Sequence, residues 1–147
     1  MVRHPHCNQF AVVLGRAAIE RQSARILAAH ASPQVIDALR NTVSTEENIS
    51  SPSVDAYFRA NRAIHRKMVE LSDNRYLIEM FDNIWNRAVS YNLFATIANV
   101  DLAQSFGDHM RLVDAIESGN PSIALEAIVD HITHGFDLQI KGLETRS

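Results

Sequence analysis

The sequence predicts a single all-α domain, and three observations carry that prediction. No glycine lies between Gly15 and Gly107, whereas β-rich chains need frequent turn glycines. Ser32-Pro33, Ser51-Pro52 and Asn120-Pro121 each read as an N-cap followed by proline at the first helical position, where a missing N–H costs nothing. Between these marks, apolar residues recur three to four apart. The first helix is expected over 10–31. Its opening FAVVL at 10–14 would suit a strand in isolation, but it runs straight into a helical pattern. Ser32 and Pro33 open a second helix over 33–47, and Ser51 and Pro52 a third over 52–72. A fourth is expected over 74–98 and a fifth over 101–118, closed by Gly119 in the left-handed conformation that ends many helices. Pro121 starts the sixth, over 121–142. No long linker, repeat or low-complexity tract interrupts this order. The expected division is a poorly patterned segment over 1–10, one domain over 11–142 and a short tail over 143–147.

Composition narrows the function classes. The chain has 147 residues, 46% hydrophobic and 21% charged, enough for one domain with a real core. Fourteen Lys and Arg against seventeen Asp and Glu give a net charge of −3, whereas autonomous nucleic-acid binders usually carry a basic surplus. The lone Cys7 excludes an internal disulfide and a cysteine-based zinc ribbon. The best uncharged run, Ala88 to Val100, falls short of the roughly 18–20 apolar residues a membrane span needs. MVRHPHCNQF at the N-terminus lacks the apolar region of a signal peptide, so a cytoplasmic location is expected.

The informative residues are histidines on inward faces. In the third helix Tyr57, Asn61, Ile64, Met68 and Leu71 form the inward stripe, and His65 lies beside it, one turn beyond Asn61. An i, i+4 pair projects two side chains from one face, the spacing by which a helix offers two ligands to one metal. In the fifth, His109 falls among Phe106, Leu112, Val113 and Ile116; in the sixth, His131 shares a stripe with Ala124, Ala127, Ile128 and Leu138. In an antiparallel hairpin turning at Gly119 and Asn120, His109 and His131 each lie roughly 15–17 Å from the turn at 1.5 Å per residue. The two histidines are thereby brought level. A lone inward histidine is more often a hydrogen-bonded core residue than a ligand. Several buried together are costly without shared partners, and a common metal would satisfy them at once. His134, one turn from His131, is the competing ligand; His4, His6 and His30 are expected at the surface.

These residues also carry a family likeness. The chain resembles the FCD domain, the C-terminal effector-binding domain of the FadR subfamily of GntR transcription regulators. The likeness rests on GRAAIERQSARILAA at 15–29, YFRANRAIHRKMVELSDNRYL at 57–77 and DHMRLVDAIESGNPSIALEAIVDHI at 108–132. The resemblance implies an antiparallel bundle of about six to seven helices around a central metal and ligand pocket. It implies one divalent ion per chain on Asn61, His65, His109 and His131, zinc foremost, with nickel, cobalt, iron or manganese as alternatives. It further implies a small carboxylate effector and a homodimer. Arg16 and Glu20 match the Arg-x3-Glu pattern of the family's first helix. Arg16 is the leading candidate for the effector's far carboxylate, because arginine grips one with a planar fork; Arg87, Tyr57 and Glu20 are the further ligand-binding candidates. The regulators' winged helix-turn-helix has no counterpart in the residues before the match, so DNA binding is expected only through a domain absent from this chain.

Two other functions compete. A metal-dependent enzyme acting on a small hydroxy or keto acid would need three histidines and open coordination sites. Yet H-E-x-x-H and the Glu-x-x-His pair of di-iron bundles are both missing, and the expectation is no enzyme. A purely structural dimerising bundle would use the histidines as core.

Overall fold

The computed structural model describes residues 7–95 and 108–144. Its helices are α1 (Cys7–Ala29), α2 (Pro33–Glu46), α3 (Val54–Leu71), α4 (Arg75–Trp85), α5 (Ala88–Phe94), α6 (His109–Glu117) and α7 (Pro121–Glu144). There is no strand among the described residues, and FAVVL lies inside α1.

Caps chosen by short polar side chains set most boundaries. The Ser32 hydroxyl accepts from the Val35 N–H at 3.3 Å, with Pro33 at the first helical position. Asn120 does the same for α7, accepting from the N–H groups of Ser122 and Ile123, after Gly119 takes φ +71. The third boundary differs from expectation. Ser53, not Ser51, caps α3, accepting from the Ala56 N–H at 3.1 Å, so Pro52 stands outside the helix.

The helix expected over 74–98 is two helices. α4 ends at Trp85 and α5 begins at Ala88, and the break is stabilised from within. The Ser90 hydroxyl donates to the Ile84 carbonyl at 2.7 Å, which also accepts from the Arg87 N–H at 3.3 Å, so the end of α4 is closed by the turn and by a side chain together. No glycine or proline marks the spot. Residues 96–98 and 101–107 of the expected fourth and fifth helices, Phe106 included, lie outside the described residues.

Packing centres on α1, which lies against α7 along much of its length and also touches α3, α4, α5 and α6. Its buried residues, among them Val13, Ile19, Glu20, Ser23, Ala24 and Leu27, share one half of its circumference, opposite the exposed Leu14, Arg21, Gln22 and Arg25, and polar side chains mixed into that buried face mask the stripe in the sequence. The main core joins Leu27, Leu39, Val43, Ile64, Met68, Leu112, Val113, Ile116 and Ile128. A second cluster of Ile19, Val69, Leu77, Phe81 and Trp85 lies where α4 meets α1 and α3.

Ion pairs then fix how the helices align. Arg40 on α2 reaches Asp114 at 2.8 Å and also Glu117, both on α6. Arg66 on α3 holds Asp82 on α4 through bonds of 2.9 and 3.1 Å, joined by Arg62. Such solvent-screened pairs add little stability individually; burial carries the fold. Ile116, 1% exposed, tests that ranking. Ile116→Ala should lower the unfolding free energy by about 2–5 kcal/mol in urea denaturation. A loss no larger than that of an Arg40→Ala variant would contradict it.

Candidate metal centre

Three helices deliver the polar groups to one point. α3 supplies Asn61 and His65 one turn apart, α6 supplies His109 at its first residue, and α7 supplies His131. His65 and His109 are fully buried and His131 half-buried. The His65 Nε2 atom lies 3.2 Å from His131 Nε2 and 3.3 Å from His109 Nε2, and His109 Nε2 lies 3.0 Å from Asn61 Oδ1. The His109 and His131 ring centroids are 4.8 Å apart: the hairpin does bring the two histidines level.

Those spacings suit a single ion. Donor atoms bound at about 2.1 Å stand about 3.0 Å apart at right angles and about 3.4 Å apart at tetrahedral angles. The available atoms of His65, His109 and His131 all lie within 4.8 Å of one another, so the three side chains are able to hold a metal ion. Burial pushes the His65 pKa below 6.5, against the pull of Glu20. Burial, with His65 and His109 close by, takes His131 well below that value. Neutral imidazoles keep the lone pairs that coordination requires.

Carboxylates stand behind two of the rings. Glu20 on α1, 2% exposed at its side chain, brings Oε1 within 2.7 Å of His65 Nδ1, close but not aligned as a hydrogen bond. Burial works to raise the Glu20 pKa, but Arg16 and His65 outweigh it and the net shift is downward. Glu47, which follows the last residue of α2, faces His109 Nδ1 at 3.3 Å. A carboxylate only accepts, so this bond requires the proton on Nδ1 and leaves Nε2 turned to the centre. Glu47 escaped the sequence reading because its partner lies 62 residues away, a pairing that helical spacing does not encode. One signal was available: an acidic residue at a helix C-terminus opposes the macrodipole.

The other sequence candidates separate cleanly. Arg16 is half-buried, with Nε 3.4 Å from Glu20 and its guanidinium 4.0 Å above the Trp85 ring, whose other neighbours include His65 at 6.1 Å. It lines a cavity of about 20 Å³ together with Val13, Asn61, Phe94, His131 and Gln139, room for one water molecule. Arg87 is exposed and donates to Asn83 at 3.1 Å; neither it nor the half-buried Tyr57 lines that cavity. His134 is exposed and sits in a separate cleft of about 300 Å³ between α6 and α7, which His131 also borders. His30 is exposed, while His4 and His6 lie outside the described residues.

Among the described residues the chain is an all-helical bundle that encloses a histidine cluster beside a small polar cavity. Residues 12–134 match the FCD domain, and the chain belongs to that family, the ligand-sensing C-terminal domain of GntR-family regulators. FCD domains occur in regulatory proteins rather than enzymes, and many bind metal. No curated protein and no solved structure matches the chain. No helix among the described residues is long and apolar enough to cross a membrane.

The histidine shifts set a pH dependence. With His65 and His131 below 6.5 in the folded state, the unfolded chain takes up protons first on acidification. Stability is therefore complete above that pH and falls progressively below it, and Glu20, held below 4.5, extends the loss at still lower pH. The urea midpoint of chelator-treated protein should fall steadily between about pH 7 and pH 5. A flat profile would contradict neutral burial.

Proposed function

We propose that the chain is the metal-dependent, organic-acid-sensing domain of a FadR-type GntR regulator, acting as a homodimer. In such a regulator DNA would be read by a winged helix-turn-helix domain and not by the helical bundle over residues 12–134. One divalent ion would be held by His65, His109, His131 and the side-chain oxygen of Asn61. The observation that carries this reading is the approach of three imidazole nitrogens and one amide oxygen at 3.0–3.3 Å. Neutral nitrogen donors suit zinc first, and nickel, cobalt, iron or manganese after it. When bound, the ion supplies positive charge and open positions for a carboxylate.

The protein's own groups would do the rest. A neutral donor set leaves the cation uncompensated in a low-dielectric interior, which favours an anionic ligand. Arg16 stands on the wall of the same cavity, held by stacking on Trp85, and can fork a second carboxylate. A cavity of about 20 Å³ does not contain an organic acid as it stands, so ligand entry would displace the wall that Phe94 and α7 form. That displacement is the natural origin of a signal.

Elemental analysis and calorimetry test this. His109→Ala should purify without stoichiometric metal and melt at a lower temperature. Unchanged metal content would show the centre misassigned. On metal-loaded protein a small hydroxy acid should bind, lose binding with chelator, and weaken by about 1.5–3 kcal/mol on Arg16→Ala. Binding indifferent to both would refute the sensing role given to this site. Light scattering should give a dimer at micromolar concentration, and a monomer would refute the proposed assembly.

A further inference from the structure

Both fully buried histidines have a carboxylate at Nδ1, but the two carboxylates differ in what else they serve. Glu20 is enclosed and its charge is shared with Arg16 at 3.4 Å. Glu47 is 27% exposed at its side chain, and among the described residues no lysine or arginine lies within ion-pair reach of it. It also occupies the C-cap of α2, where the helix dipole disfavours an acid. A residue that breaks a local rule while bonding a buried histidine is serving that histidine.

We propose that Glu47 is a positioning residue of the metal centre, acting through His109: it fixes the Nδ1–H tautomer and lends its negative charge to a donor set that has none. The inference rests on the metal reading above. The bond at 3.3 Å orients the ring at the first turn of α6, and the carboxylate makes the imidazole a stronger donor at Nε2. With Asn61 at the position where an aspartate would bring a charge directly, Glu47 is, among the described residues, a carboxylate at a candidate ligand's Nδ1 whose charge no lysine or arginine shares. Glu20 would orient His65 in a similar way, but Arg16 cancels the charge it would contribute.

Zinc competition titrations on the full chain decide the matter, using wild type, Glu47→Gln, Glu47→Ala and Glu46→Gln. Glu47→Ala should weaken zinc binding about 10–100-fold. Glu47→Gln, which keeps an acceptor and loses the charge, should fall between it and wild type, and Glu46→Gln should match wild type. At saturating cobalt the visible absorption of Glu47→Gln should shift, while its metal-free melting temperature stays near that of wild type, an outcome that a merely structural role would not give. Wild-type zinc affinity and an unshifted cobalt spectrum in both Glu47 variants would overturn the proposal and leave the metal reading standing. A wild-type chain that takes up no divalent ion would overturn both.

Discussion

Three imidazoles facing one another inside a helical core impose the condition that the rest of the molecule meets. Polar rings without partners are expensive to bury, so each needs something behind it and something in front. Behind His65 and His109 stand Glu20 and Glu47; in front lies the shared centre that Asn61 completes. The surrounding packing reads as a frame for that arrangement. α1 brings Glu20 and Arg16 to the centre, α2 brings Glu47, and the Arg40 pairs hold α2 against the helix that carries His109. Ion pairs of small individual value thus matter through geometry, because they fix the helices on which the polar groups ride.

Much of this was legible in the sequence, because its signals are local or periodic. The caps at Ser32 and Asn120 and the left-handed Gly119 depend on neighbouring residues alone. The level placement of His109 and His131 needed only helix rise and a turn position. Asn61 and His65 followed from spacing. What failed to show was set by which of several possible contacts forms, near or far along the chain. The break after Trp85 has no glycine or proline, and a hydroxyl six residues along the chain stabilises it. Ser53 displaced Ser51 as the cap of α3 because its own side chain reaches the first turn. Glu47 lies 62 residues from its histidine, a pairing no periodicity could propose.

The same distinction explains the two arginines singled out from the sequence. Arg16 lies on the inward face of α1, one turn from Glu20, so its side chain finds its partners inside, in Glu20 and Trp85. Arg87 falls within the break, and the turn it occupies directs it to the surface beside Asn83. A sequence pattern that treats 74–98 as one continuous helix has no means of seeing that turn.

Trp85 is the chain's single tryptophan, and its neighbours make it an optical instrument built into the protein. The guanidinium over its ring and the His65 imidazole nearby set the local electric field in which the excited indole emits. Rearrangement of Arg16 or His65 would register in the emission of one known fluorophore, with no label to attach and no second tryptophan to subtract.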